Sequence, residues 1–178
     1  MNKTILYYVH GYKTKPEKIK SRKFRNLNSF FGEKFNYGYM SWNENSDFDK
    51  LLDKALEQTR DYNKVILIGD STGANFAYQI RQYIKERKQN VKLILTSPLL
   101  DVKKRLRDIP FTGNLLRALL KINSPKDCLI IATNEDEVLE QKWIFENKFN
   151  NVKVINVNDN HRLEKFQNYI KEIEEYIK

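Results

Sequence analysis

The sequence predicts an α/β fold, a mostly parallel six-stranded sheet between two helical layers in a three-layer αβα sandwich. Three observations carry this. Short apolar, β-branched runs alternate with helical patterns along the chain. The runs at 65–68 and 91–95 are almost continuously apolar, as strands covered on both faces must be. Gly69-Asp70-Ser71-Thr72-Gly73 follows the first of these runs and opens the helical stretch Ala74-Asn75-Phe76-Ala77-Tyr78, a sharp strand-to-helix turn.

Taken in order, the strands are expected at 4–9, 35–40, 64–68, 91–96, 127–133 and 152–157, and the helices at 18–32, 47–60, 72–88, 138–149 and 162–177. Asp47 is placed to cap the second helix, which then shows Leu51, Leu52, Ala55 and Leu56 on one side. In the last helix Leu163, Phe166, Ile170, Ile173 and Ile177 recur at helical spacing, with Lys and Glu opposite; this stripe is core packing. The alternation breaks at 97–126, which carries Ser97-Pro98, Lys103, Lys104, Arg105, Arg107, Pro110 and Gly113, then Leu115, Leu116, Leu119 and Leu120. There is room here for two short helices, a small cap within a single domain spanning 1–178. The basic cluster has two readings, a solvated helix face or a receiver for an anionic substrate tail.

Length fits one domain able to bury a core without disulfides or metals. The net charge of +9 is spread along the chain and comes with no nucleic-acid-binding motif, so a nucleic-acid partner is not expected. The single cysteine, Cys128, lies in an apolar run and reads as core rather than as a reactive thiol. No run reaches membrane-spanning length, and the apolar stretch at 4–9 is too short for a signal peptide, so a cytoplasmic protein with no membrane partner is expected. Two histidines and one cysteine at unrelated positions form no metal-ligand spacing, and no cofactor is implied.

A G-x-S-x-G sequence between strand and helix is the nucleophile elbow of α/β-hydrolases. Ser71 is therefore the candidate nucleophile. Acyl transfer by serine also needs a base, an acid to orient it and two oxyanion donors, and in this fold the order is Ser, acid, His. His161 follows the last strand in Asn158-Asp159-Asn160-His161 and is the candidate base. An imidazole, with an ordinary pKa near 6.5, can take and return a proton close to neutrality. Asp136, after the fifth strand, is the candidate acid; Glu135, Glu137 and Asp101 are the alternatives. The backbone N–H groups of Thr72 and Tyr12 are the candidate oxyanion hole. His10, in His10-Gly11-Tyr12, reads as a support for that loop, and Asp70 is expected to face solvent. Lys13 and Lys15 lack the glycine-rich run of a phosphate loop.

Strand-His10-Gly11-Tyr12, Gly69-Asp70-Ser71-Thr72-Gly73, Asp136-Glu137-Val138-Leu139 and Asn160-His161 occur in order across nearly the whole chain. In these motifs the sequence resembles the small bacterial YqiA-type esterases of the α/β-hydrolase superfamily. The resemblance implies an α/β-hydrolase fold with sheet order 2-1-3-4-5-6, a minimal cap, and hydrolysis of carboxylic esters or thioesters. It favours Asp136 over its acidic neighbours. The family more often has Leu or Met at the place of Thr72, Gly at that of Ala74 and Phe at that of Tyr12, so the shape of the acyl pocket does not carry over. The expected partner is a small-molecule ester or thioester. The rival readings are an acyl-CoA thioesterase that uses the basic segment, and a non-catalytic binding protein on the same scaffold.

Overall fold

The computed structural model describes residues 3–12, 21–86 and 90–178; the expected helical residues 18–20 and 87–88, and Lys13 and Lys15, lie outside these. Six strands, β1 (Thr4–Val9), β2 (Asn36–Met40), β3 (Lys64–Asp70), β4 (Asn90–Thr96), β5 (Cys128–Ala132) and β6 (Val152–Asn156), form one sheet. Its order is β2-β1-β3-β4-β5-β6, and every pair is parallel. The reversal in strand order lies between β1 and β3, where Val9 pairs with Gly69. Open α/β sheets place their sites at such a point, beyond the C-terminal strand ends.

Alternation along the strands divides the core in two. Ile5, Tyr7, Val9, Val65 and Leu67 face α2 (Phe48–Thr59) and α3 (Thr72–Glu86). Leu6, Tyr8, Ile66 and Ile68 face α1 (Arg22–Phe31) and α6 (Ile170–Ile177). The starts of α1 and α2 follow side-chain capping. Ser21 accepts the Phe24 N–H at 3.2 Å, which fixes the start of α1 at Arg22, and Asp47 accepts from Lys50 as expected.

The segment 97–126 forms a small cap with a 3₁₀ turn at Val102–Lys104 and α4 (Gly113–Ala118). It is tied down by polar side chains of α3. Asn75 donates to the carbonyls of Leu99 (3.1 Å) and Leu120 (2.8 Å), and Gln79 donates to that of Ala118 (3.0 Å).

Two expected helices are shorter than the apolar spacing suggests. The stretch 138–149 is helical only in α5 (Lys142–Glu146). Residues 138–140 are instead extended against the cap: Leu106 donates to Val138 (2.8 Å), Glu140 donates to Lys104 (2.7 Å), and Arg105 bridges Leu139. The stretch 162–177 starts as a turn in which Leu163 has φ 47°, outside the helical region. A 3₁₀ turn at Phe166–Tyr169 then leads into α6. Both departures lie at the site described next, where side-chain acceptors compete for the backbone N–H groups that a helix would use.

Cys128 is fully buried, and burial pushes its thiol up to about 12, so it is core as expected. Among the described residues no helix is long and apolar enough to cross a membrane. No group of three or more His, Cys, Asp or Glu among them is placed to hold a metal ion.

Candidate active site

The end of β3 sets the geometry. Ser71 has φ 51°, a conformation that costs energy for any residue with a Cβ. Its N–H is held by the Thr96 carbonyl (2.9 Å), and its own carbonyl accepts from Ala74 and Leu99 (both 3.0 Å). The elbow closes tightly enough to require glycine. A Cβ at Gly73 would lie 2.3 Å from the His10 carbonyl oxygen and 2.4 Å from that of Val9; one at Gly69 would lie 2.5 Å from the Ala74 Cα. These contacts are with backbone, which cannot swing aside. Gly73→Ala is therefore expected to destabilise the fold by about 3 kcal/mol. That corresponds to a fall of roughly 6–12 °C in melting temperature for a chain of this size, and a thermal unfolding scan checks it.

The structure brings Ser71, His161 and Asp136 together. His161 Nε2 lies 3.0 Å from Ser71 Oγ, and Nδ1 lies 2.7 Å from Asp136 Oδ2. Asp136 is buried, and its Oδ1 accepts the N–H groups of Val138 and Leu139 (both 2.8 Å). With Oδ2 an acceptor, Nδ1 carries the imidazole proton, and the Nε2 lone pair faces the serine hydroxyl.

The loop bearing His161 is shaped by two further carboxylates. Glu137 accepts the His161 backbone N–H (3.0 Å). Asp159 accepts from the N–H groups of Asn160, Glu164 and Lys165 and from the Tyr169 hydroxyl. Consecutive acids thus hold one histidine, Asp136 by its ring and Glu137 by its backbone. Of the alternative acids, Glu135 is exposed and Asp101 caps the 3₁₀ turn of the cap through the Lys103 N–H (2.9 Å).

Thr72 is the first residue of α3, where the helix supplies no acceptor for the backbone N–H. Tyr12 lies across the same cleft, its ring edge-on to Phe111 at 4.9 Å and its hydroxyl donating to the Pro110 carbonyl at 3.2 Å. The loop of Tyr12 rests on His10. That ring stacks on Trp42, donates from Nδ1 to the Gly11 carbonyl (2.7 Å) and accepts the Trp42 N–H at Nε2 (3.1 Å). Both nitrogens are occupied structurally.

Burial pulls the His10 pKa below its ordinary value of 6.5, against smaller opposing effects from the Gly11 hydrogen bond and the Asp70 charge. A lowered folded-state pKa means the unfolded chain binds the proton more readily. The stability that neutral His10 contributes is thus complete above about pH 6.5 and is lost as pH falls below it. Unfolding free energies between pH 7 and 5 are expected to fall less steeply in His10→Gln than in the wild type, by up to about 1.4 kcal/mol per pH unit. Denaturant titrations across that range test this.

Asp70 corrects an expectation. Because β3 runs on through this residue, Asp70 follows Ile66 and Ile68 onto the α1 face instead of facing solvent. There it forms an ion pair with Lys23 of α1 and accepts from the Thr96 hydroxyl at 2.8 Å. Lys23 is buried, so the pair offsets a negative charge that would otherwise stand beside Ser71 unbalanced.

A cleft of about 250 Å³ opens over Ser71. Leu99, Ile109, Phe111, Val138 and Leu139 form its apolar wall, and Arg105, Arg107 and Arg162 also line it. A second depression, bordered by Gly11, Arg22, Lys23 and Asp70, meets it at Ser71, His161 and Arg162. Of the basic segment, Lys103 and Lys104 lie in the 3₁₀ turn, whereas Arg105 forms an antiparallel bridge to Leu139 and Arg107 lies beyond it.

The fold is shared with hydrolases of known structure. A proposed hydrolase of Agrobacterium vitis S4 superposes with TM-score 0.71 at 14% identity, over 99% of this chain and 88% of the other. A metagenome-derived lipolytic enzyme superposes with TM-score 0.62 at 12% identity, over 98% and 94%. Human thioesterase 2 does so with TM-score 0.61 at 11% identity, over 97% and 94%. Among curated proteins no sequence matches. The model of the uncharacterised protein family UPF0227 matches residues 5–178. The chain thus has the α/β-hydrolase fold and belongs to the UPF0227 family, in keeping with its resemblance to YqiA-type proteins.

Proposed function

We propose that this protein is a serine hydrolase that cleaves carboxylic esters or thioesters through an acyl-enzyme. The observation that carries the reading is the relay from Ser71 Oγ through the His161 ring to the buried Asp136 carboxylate, built on a strained elbow. Ser71 Oγ attacks the substrate carbonyl carbon while its proton passes to His161 Nε2. Asp136 keeps the ring oriented and stabilises the imidazolium. The N–H groups of Thr72 and Tyr12 receive the developing oxyanion, each worth roughly 3 kcal/mol in such sites. Collapse of the tetrahedral adduct expels the alcohol or thiol, which takes the proton from Nε2. A water molecule, deprotonated by the same nitrogen, then attacks the acyl-serine and releases the acid.

The structural likeness to a lipolytic enzyme and to a thioesterase supports this reaction class. The cleft of about 250 Å³ is smaller than the roughly 300–1,000 Å³ of pockets that take drug-sized ligands, which favours short substrates. The test is turnover of 4-nitrophenyl esters from acetate to dodecanoate, together with short acyl thioesters. Hydrolysis is expected, with kcat/KM highest for the short chains. No rate above buffer for any of them would contradict the proposal.

A further inference from the structure

We infer that the cleft selects substrates that carry a second, negatively charged group, a carboxylate or phosphate, close to the scissile ester; this rests on the hydrolase reading above. Three guanidinium groups, those of Arg105, Arg107 and Arg162, line the cavity over Ser71, against one carboxylate, that of Glu137. Glu137 is already engaged by the His161 N–H. Among the described residues none of the three arginines has an ion-pair partner. Most other cations near the site are neutralised or spent: Lys23 is paired with Asp70, Lys104 with Glu140, and Arg22 donates to the carbonyls of Arg162, Leu163 and Glu164.

Two of the arginines are also held in place. Arg105 donates to the carbonyls of Val102 and Ile109, and its guanidinium lies over the Phe111 ring, 4.5 Å from the centroid. Arg107 Nε donates to the Glu137 carbonyl at 3.0 Å, which leaves its terminal amines uncommitted by that bond. The segment that carries both is fixed to 138–140 by backbone hydrogen bonds from Leu106 to Val138 and from Glu140 to Lys104. Arg162 follows His161 directly, and its side chain borders the depressions on both sides of the nucleophile. Like charges gathered in one partly enclosed cleft repel one another. An incoming anion relieves that repulsion and accepts charge-assisted hydrogen bonds, at reduced ordering cost where Arg105 and Arg107 are already positioned.

The charged group can sit on the acyl side or on the leaving group, and paired substrates separate the two. Mono-4-nitrophenyl adipate is compared with 4-nitrophenyl hexanoate, and 4-butyryloxybenzoate with 4-butyryloxybenzamide, with spontaneous hydrolysis subtracted. In at least one pair the anion is expected to be favoured about tenfold or more in kcat/KM at low salt, and the advantage shrinks as ionic strength rises. Arg107→Gln and Arg162→Gln are expected to lower that ratio, whereas Arg107→Lys keeps part of it. The pair that shows the preference identifies which end of the substrate is anionic. Neutral esters turned over as well as or better than their charged partners in both pairs would overturn the inference and leave the hydrolase reading standing. So would a preference that survives both Arg→Gln replacements. No turnover of any ester, with no labelling by a serine-directed probe, would overturn both.

Discussion

Replacing Ser71 with alanine is expected to lower kcat by about 10⁶, to the residual rate that binding and the oxyanion donors supply. His161→Ala should cost about as much, and the double variant little more. The expectation rests on the geometry: His161 Nε2 is 3.0 Å from Ser71 Oγ and its other nitrogen is committed to Asp136, so in the proposed reaction the two act as a unit. Additive losses in the double variant would mean the two act independently. The alanine introduces no clash, and it retains the backbone bonds from Ser71 N–H to Thr96 and from Ala74 and Leu99 to the Ser71 carbonyl. Unfolding midpoints of the variants should therefore stay close to the wild type, which separates lost chemistry from lost fold.

Asp136→Asn carries the second largest effect, a loss of about 10⁴ in kcat. Asp136 is fully committed. Oδ1 holds the Val138 and Leu139 N–H groups, and Oδ2 holds the imidazole Nδ1–H. An amide that keeps the Val138 and Leu139 bonds presents its NH₂ to Nδ1. The ring must then carry its proton on Nε2, pointing at the serine instead of accepting from it. Glu137→Gln is the useful companion, because the Glu137 carboxylate accepts from the backbone N–H of the same histidine and not from its ring. A loss there much smaller than in Asp136→Asn is expected. The reverse order of effects in steady-state assays would assign the acid to Glu137.

The parts of this protein legible in its sequence are those with local signals. Apolar runs of four or five residues mark the buried strands, and Ser21 aside, caps such as Asp47 could be read directly. The residues at Ser71, Asp136 and His161 were placed by strand ends and chain order, helped by a chain with only two histidines. Long-range contacts left no such trace. Leu163 keeps the helical spacing of Phe166 and Ile170, yet its backbone turns left-handed because Asp159 gathers the N–H groups around it. Val138 and Leu139 read as helix, but the Asp136 carboxylate and the cap strand claim their backbone. The Lys23–Asp70 pair joins residues 47 positions apart, and nothing near Lys23 marks it as buried. Asp159, two residues ahead of the histidine and followed by a turn, is the one missed contributor with a readable signal, that of a carboxylate capping successive N–H groups.

The most direct test of the central claim is covalent capture of the nucleophile. The purified protein is treated with a fluorophosphonate, its intact mass is measured and the modified peptide is sequenced. One adduct per chain on Ser71 is expected, absent in Ser71→Ala and strongly slowed in His161→Ala. A wild-type protein that stays unmodified while folded, or one modified at another residue, would contradict the account.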